Sequence, residues 1–355
     1  MRIIHTGDLH LESSLIKLTP DQVRERKEEL FAAFLRMVDE AVRLSCRALI
    51  IAGDLFDTDR VSKRSVERVI SVIEKHPEID FLYLKGNHEG DAFIKKVNTP
   101  PSNLKYFGDE WTYFTYGDVI IAGRGVNTPT MFRELSLSPD NKNIVVLHGA
   151  LRDYSGAKDG ISLPDAMHLG IGYMALGHYH SYSATKIDNR SDAVYCGTPE
   201  GRGFDEAGEH GFVVIDTDTS PISHRFIKSA KREVKIIELD VSECERRIDI
   251  DDKLASSLGA ASILDLVRVV LVGKRSPELT IDLAALSIRW KNKFYYFEIK
   301  DETGLRIDPM SYIYDKSLKG EFIRLVYSRT DIRDEMKEKI IRCGIAALLG
   351  EDTGI

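Results

Sequence analysis

Arg2-Ile3-Ile4-His5-Thr6-Gly7-Asp8-Leu9-His10 is the stretch on which the fold turns. A short apolar run breaks at a glycine into a carboxylate and an imidazole two residues apart. Four later stretches repeat the design: Ala48 to Ala52 into Gly53-Asp54-Leu55-Phe56-Asp57, Phe81 to Leu84 into Gly86-Asn87-His88-Glu89, Ile144 to Leu147 into His148-Gly149, and Tyr173 to Leu176 into Gly177-His178-Tyr179-His180. Each reads as a buried strand that ends in a glycine turn and a polar side chain of the ligand type. Ligands of open α/β sheets sit beyond the carboxyl ends of the strands, so the five ends are expected to share one pocket.

The elements between these ends fix the fold class. Thr19-Pro20 is a helix start, with Thr as N-cap and Pro in the first turn, and Val23, Leu30, Phe31, Phe34, Leu35, Val38, Ala41 and Val42 follow at helical spacing. Ser62 to Glu74 reads as a second helix, with Pro77 just past its end. Strand and helix therefore alternate, which predicts a mostly parallel sheet. From Val119 the spacing shortens, with strand-like runs at 144–147, 173–176, 183–187, 193–196, 211–216 and 223–227. These are expected to form a second, more antiparallel sheet packed on the first. A catalytic domain would thus span residues 1–228. Residues 229–310, read as strand, helix, strand, helix, strand, would form a small α/β cap. Residues 311–355 would form a helical, amphipathic tail, with Phe322, Leu325 and Val326 on one set of turns and Met336, Ile340 and Ile341 on the next.

Composition narrows the function class. The 355 residues suggest two or three domains, and 43 % hydrophobic content is ample for a packed core. A net charge of −7 argues against a wholly basic nucleic-acid binder. Cys46, Cys196, Cys244 and Cys343 lie far apart and form no CxxC pair, as expected of reduced thiols. Met1 leads almost directly into a strand, so no signal peptide is expected, and no apolar run reaches the ~18 residues of a membrane span. A cytoplasmic protein without membrane contact is the expectation.

Asp8 and His10 project to one side at the end of a strand, and His178 and His180 repeat that spacing. Asn87 adds a neutral carbonyl oxygen. Hard oxygen with imidazole nitrogen suits Mn, Fe or Zn better than Ca, and the lack of paired Cys argues against a thiolate zinc site. Asp8, His10, Asp54, Asn87, His148, His178 and His180 are too many ligands for one ion and suit two ions that share a carboxylate. Such pairs serve phosphoester chemistry by polarising a phosphoryl oxygen and lowering the pKa of the attacking water. Asp54, in the middle of the sheet between the two ligand sets, is the natural bridge. Singly these residues have ordinary readings, Asp8 and Asp54 as turn or cap residues and His148 as a core histidine. Five such strand ends in order do not.

Asp8-x-His10, Gly53-Asp54-x-x-Asp57, Gly86-Asn87-His88-Glu89, His148-Gly149 and Gly177-His178-x-His180 together resemble the signature of the calcineurin-like metallophosphoesterases, over about residues 1–228. The resemblance implies an α/β (α+β) fold, a four-layer β-sandwich flanked by helices. It also implies two divalent ions, Mn first, with Fe, Zn and Mg as alternatives. One ion would take Asp8, His10, Asp54 and His180. The other would take Asp54, Asn87, His148 and His178. His88 would bind no metal and would stabilise the transition state or protonate the leaving oxygen. Within the superfamily the opening Ile3 to Leu11 and the run Tyr195-Cys196-Gly197-Thr198-Pro199-Glu200 resemble the DNA-repair exonucleases of the SbcD (Mre-eleven) type. Gly201-Arg202 and Phe204-Asp205-Glu206-x-Gly208-x-x-Gly211 are similar to a smaller bacterial, YhaO-like branch. The chain departs from the eukaryotic and archaeal nucleases at Asp57, where those often carry a second histidine. Asp57 is expected either to hold a metal-bound histidine from behind or to cap a local turn.

Arg60, Lys63, Arg64 and Arg68 follow the second motif, and Arg124 and Arg202 lie in glycine-rich loops. Arg60, Lys63, Arg64, Arg124 and Arg202 are candidate contacts to DNA phosphates, against the plainer reading of Arg60 to Arg68 as a solvated helix face. The resemblance implies DNA as substrate, a homodimer, and an SMC-like coiled-coil ATPase of the SbcC type docked on the C-terminal helices. Against that docking stands the simpler reading that Phe322, Leu325 and Ile340 close the protein's own core. The function expected is a Mn-dependent exonuclease or endonuclease of double-strand-break repair. The rivals are a phosphodiesterase or phosphatase acting on a small nucleotide or a phosphoprotein, and a non-catalytic scaffold.

Overall fold

The computed structural model describes residues 1–13, 18–58, 60–152, 160–306, 309–312 and 314–350. The chain divides into two compact units, Met1–Val234 and Lys235–Ile355.

In the first unit, strand β1 (Arg2–Thr6) is followed by helix α1 (Pro20–Arg43), β2 (Ala48–Ala52), α2 (Lys63–Glu74), β3 (Asp80–Leu84) and β4 (Leu104–Tyr106). The start of α1 is a capping box: the Thr19 side chain accepts from the Gln22 backbone, and the Gln22 side chain accepts from the Thr19 backbone, with Pro20 in the first turn. Strands β1 to β4 lie side by side and parallel. Next come β5 (Thr112–Tyr116), β6 (Val119–Gly123), β7 (Lys142–His148), β8 (Ile171–Gly177), β9 (Ser183–Lys186), β10 (Asp192–Tyr195), β11 (Gly211–Asp216) and β12 (Ser223–Lys228).

The second sheet has the order β5-β6-β7-β8-β10-β9. It is not the more antiparallel sheet expected from the short spacing. Its centre, β6 to β7 to β8 to β10, is parallel, and only the edge pairs with β5 and β9 are antiparallel. Nor do β11 and β12 belong to it. β11 pairs antiparallel with β1, Ile3 opposite Ile215, and extends the first sheet to the order β12-β11-β1-β2-β3-β4. Strand spacing misleads here because a short connection need not join neighbours. The link from β8 to β10 passes through the edge strand β9, and β11 crosses back to the other sheet.

Period-two alternation builds the layers. Ile3, Ile50, Leu82 and Leu84 of the first sheet point inward against Ile121, Ile144, Val146, Tyr173 and Val194 of the second. Ile4, Leu49, Ile51, Phe81 and Tyr83 point outward against Phe34, Met37 and Val38 of α1 and Val69 and Ile73 of α2. The outer face of the second sheet, with Val145, Leu147, Met174 and Leu176, is covered by Met131, Phe132, Leu163 and Ala166 from short helical turns. The result is helices, sheet, sheet, helices, with each fully buried aliphatic side chain contributing about 1.5–3 kcal/mol.

The second unit carries a three-stranded sheet of β13 (Val234–Asp240, which begins at the unit boundary), β14 (Leu266–Val272) and β16 (Tyr296–Asp301), with α3 (Arg247–Ser257) and α4 (Leu283–Trp290). Val267, Val269 and Leu271 of β14 pack with Leu254, Leu286, Trp290 and Phe297. A two-residue pair, β15 (Lys274–Arg275) with β17 (Gly304–Leu305), has no signal in the sequence pattern. The tail forms two helices, α5 (Leu318–Ser328) and α6 (Asp334–Leu349), in the same unit. Val326 and Ile341 of the expected stripe are buried with Ile323 and Ile345, whereas Leu325 and Met336 are 63 % and 46 % exposed. Residues 351–355 of the expected tail lie outside the described residues. Among the described residues no helix is long and apolar enough to cross a membrane.

Candidate metal centre

The five strand ends meet at one edge of the sandwich, and backbone hydrogen bonds zip their loops together. Asp8 N donates to Gly53 O, His10 N to Asp54 O and Leu11 N to Leu55 O, at 3.0, 3.0 and 2.9 Å. In the second sheet Gly149 N donates to Gly177 O at 3.1 Å, and Thr198 N to His180 O at 3.1 Å. This course forces unusual backbone: Asp8, His10, Asp54 and His178 all have positive φ, at 50°, 45°, 48° and 111°. Non-glycine residues in that region are uncommon and concentrate at functional sites. The glycines allow close approach. A Cβ on Gly86 would lie 1.9 Å from Asp54 Oδ1, and one on Gly53 2.1 Å from His148 Nδ1.

The structure brings all seven expected ligands together. Asp8, His10 and His180 offer ligand atoms within 4.8 Å of one another, as do Asp8, Asp54 and His148. His10 Nε2 is 3.1 Å from His180 Nε2, and His148 Nε2 is 2.7 Å from Asn87 Oδ1 and 3.4 Å from Asp54 Oδ2. His178 joins through its ring, 5.5 Å from that of His148, and its backbone N–H donates to the Asp8 carboxylate at 2.8 Å.

The far nitrogens explain how these imidazoles are held. His148 Nδ1 donates to the Ala52 carbonyl at 2.9 Å, which turns Nε2 toward Asn87 Oδ1 and Asp54. His180 Nδ1 lies 2.7 Å from Glu206 Oε1. His10 Nδ1 lies 3.0 Å from Asp57 Oδ1, close in distance although not an aligned hydrogen bond. With Nδ1 turned to a carboxylate in both rings, the Nε2 atoms of His10 and His180 face each other. Two imidazole nitrogens that converge beside buried carboxylates fit a cation, and this oxygen and nitrogen donor set suits divalent ions.

The field agrees. Burial alone would lower His148, yet Asp54 and Asp8 lift it to about 9. Burial would raise Asp54, and His148 with the His88 backbone N–H reverses this to hold it below the usual range. Burial raises Asp8 to about 6. His180 is raised by Glu206 against burial, whereas burial lowers His10.

Asp57 lies 3.0 Å behind the His10 imidazole and pairs with Arg202 Nη1 at 2.8 Å. His88 sits at the open side, 44 % exposed, with its ring 4.9 Å from that of His10 and Nδ1 4.0 Å from Asp57 Oδ1. Arg202 and Arg124 are not open to a phosphate. Arg202 lies between Asp57 and Glu206, and Arg124 is buried and bonded to Glu134, Glu110 and the Val126 carbonyl. Both have carboxylates within reach of their guanidinium, which the sequence could not show. Arg60 and Lys63 are exposed, and Arg64 lines a cleft of about 230 Å³ beside Glu12 and Lys27. Sequence reasoning gave no role to Glu206, Ser13 or Glu89. Glu89 is buried and accepts from Leu55 N, Phe56 N and the Tyr83 hydroxyl at 2.9, 2.9 and 2.8 Å, and so fixes the loop between Asp54 and Asp57. Its place in Gly86-Asn87-His88-Glu89 was the available signal.

A family model described as calcineurin-like phosphoesterase matches residues 1–182, just over half of the chain. The chain belongs to this family. The calcineurin-like phosphoesterases are metal-dependent hydrolases of phosphoesters, and the Asp/His cluster matches a dimetal site. Among named relatives, the DNA double-strand break repair protein Mre11 of Saccharolobus solfataricus is 24 % identical over 341 residues, covering 88 % of this chain and 85 % of that one. The uncharacterized metallophosphoesterase YhaO of Bacillus subtilis is 27 % identical over 249 residues, 64 % of this chain and 60 % of that protein, so less than two thirds of its length is spanned. A subunit of the SbcCD nuclease of Staphylococcus epidermidis is 23 % identical over 302 residues, 71 % of this chain and 76 % of that one.

Proposed function

We propose that this calcineurin-like phosphoesterase is a two-metal, Mn-dependent DNA nuclease of double-strand-break repair. The observation that carries the reading is the open groove on which two of the donors lie. His178 and His180 line an open groove of about 540 Å³ with Tyr179, Ser181, Ser183 and Asp205. An extended phosphodiester chain can lie across such a surface, whereas a phosphatase for a small ester is better served by a closed pocket. The named relatives, one a double-strand break repair protein and one a nuclease subunit, support the same substrate.

In this reading Asp8, His10, Asp54 and His180 would hold one ion, and Asp54, Asn87, His148 and His178 would hold the other. When bound, the ions supply Lewis acidity to the phosphoryl group and to the attacking water. The chain's own residues do the rest. Asp57, Glu206 and the Ala52 carbonyl orient the three imidazoles by their Nδ1 atoms. His88, on the solvent side of His10, carries a ring that can reach the leaving oxygen and hand it a proton. Arg60, Lys63 and Arg64 on the neighbouring loop and helix start bind flanking phosphates. The first unit is the nuclease domain, the sheet of the second its cap, and α5 and α6 the place where an SMC-like ATPase of the SbcC type would dock, on a homodimer in the cytoplasm.

The test is hydrolysis of end-labelled duplex and single-stranded DNA, and of bis-p-nitrophenyl phosphate, with Mn, Mg or EDTA. Wild type should cut DNA with Mn and not with EDTA. His88→Ala should retain metal and lose at least a hundredfold in rate. Turnover of the small ester with DNA untouched at high enzyme would overturn the DNA reading.

A further inference from the structure

Four of the expected ligands are imidazoles, and they are not supported alike. His148 Nδ1 donates to a neutral carbonyl, that of Ala52. Among the described residues no carboxylate contacts a ring nitrogen of His178. His10 and His180 each have a carboxylate behind them, Asp57 and Glu206. Both carboxylates lie on one guanidinium. Arg202 Nη1 donates to Asp57 Oδ1 at 2.8 Å and to Ser13 Oγ at 3.2 Å, while Nε and Nη2 donate to Glu206 Oε1 at 2.8 and 2.6 Å. The guanidinium also lies 3.3 Å from His180 Nδ1, so it crowds the ring it supports.

The planar fork meets two carboxylates from two loops in a fixed geometry, whereas an ammonium on a flexible stem would hold neither at a set angle. The fork is itself held in place. The Arg202 backbone N–H donates to Glu206 Oε2 at 2.7 Å. The Glu206 carbonyl lies 2.7 Å from His210 Nε2, whose other ring nitrogen lies 2.9 Å from Thr198 Oγ1. The preceding residue, Gly201, is held through its carbonyl by the buried Arg26. Arg202 therefore ties the loop after β2 to the segment after β10, and each end of the tie sets the angle of one imidazole. An imidazole backed by a carboxylate is a stronger donor than one backed by a neutral carbonyl, and removal of such a partner typically weakens metal binding 10- to 100-fold.

We propose that Arg202 is a positioning residue for one ion of the pair: by gripping Asp57 and Glu206 together it aims His10 and His180 at that ion and makes its site the tighter of the two. This rests on the two-metal reading above. It gives the run Gly201-Arg202 and Phe204-Asp205-Glu206 a task, and it makes the centre asymmetric, with one ion on imidazoles backed by carboxylates and one on imidazoles without that backing.

The experiment is Mn binding by the full chain, with free Mn read by EPR and by competition with a fluorescent chelator, for wild type, Arg202→Lys and Glu206→Gln. Wild type should bind two ions in two resolved steps. Both variants should weaken the tighter step by tenfold or more and leave the weaker step within about threefold. Hydrolysis of bis-p-nitrophenyl phosphate should then need more Mn for half-activation and approach the wild-type kcat at saturation. Glu206→Gln keeps the size of the side chain, so it reads the same prediction if Arg202→Lys is poorly folded by circular dichroism. Equal loss in both steps, no loss in either, or two equal steps in wild type would overturn the proposal while leaving the two-metal reading intact. A wild-type chain that binds no Mn would overturn both.

Discussion

Replacing Glu29 by Gln tests how the segment around Gly201 is held. Glu29, on α1, is 5 % exposed and faces three cations: Arg232, whose Nε and Nη2 donate to it at 2.9 and 2.7 Å, Lys231 at 2.6 Å, and Arg26. Burial would raise its pKa, but the hydrogen bonds of Arg232, Lys231 and Arg26 hold it at about 2 against an ordinary 4.5. At about 1.36 kcal/mol per pH unit, this gap contributes about 3 kcal/mol of stability at neutral pH. Because the folded value is depressed, the contribution is complete above pH 4.5 and is lost as pH falls toward 2; near pH 3 less than half remains. Trp111 and Trp290 are the two tryptophans, one in each unit, so in a Trp290→Phe background fluorescence reports the first unit alone. Urea unfolding of that protein with and without Glu29→Gln should differ by about 3 kcal/mol at pH 7 and by less than half of this near pH 3. Any remainder of the difference at low pH measures the geometry disturbed around Arg26 and Arg232. A difference that is the same at both pH values, or below about 1 kcal/mol at pH 7, would refute the reasoning.

Gly86→Ala should displace Asp54, since the new Cβ would lie 1.9 Å from its Oδ1 and 2.3 Å from its backbone nitrogen. A shift of about 1 Å at a shared ligand should cost on the order of a hundredfold in phosphodiester hydrolysis with the fold intact by circular dichroism, and activity within threefold of wild type would contradict the packing. Arg60, Lys63 and Arg64 changed together to Ala should weaken DNA binding for every sequence alike. The slope of log affinity against log salt should fall by about one for each phosphate left without its cation, and an unchanged slope would place the DNA elsewhere.

The cluster of candidate ligands was legible because each of its residues announces itself locally, as a polar residue after an apolar run and a glycine. Asp8, His10, Asp54, Asn87, His148, His178 and His180 needed no knowledge of which strand lies beside which. The first helices were equally plain, from Thr19-Pro20 and the apolar spacing behind it. What sequence hid was pairing. Nothing in Gly211–Asp216 says that it returns to β1, because a buried strand shows its burial and not its neighbour. The edge strand β5, alternating between half-buried and exposed, carries too little apolar signal to be seen. The partners of Arg202 and Arg124 were hidden for the same reason. A guanidinium in a glycine-rich loop looks free until folding brings Glu206 or Glu134 against it.

The left-handed backbone at Asp8, His10, Asp54 and His178 has a consequence for how such a chain drifts. Each of these residues sits in a conformation that disfavours side chains by roughly 1 kcal/mol or more, and glycine would relieve it. A copy relieved of its chemistry would gain stability by losing these very side chains, so mutation would erode the centre before the sandwich that carries it. A lineage that abandoned hydrolysis would therefore advertise the change first at the ends of β1, β2 and β8, as glycines where this chain still has acids and histidines.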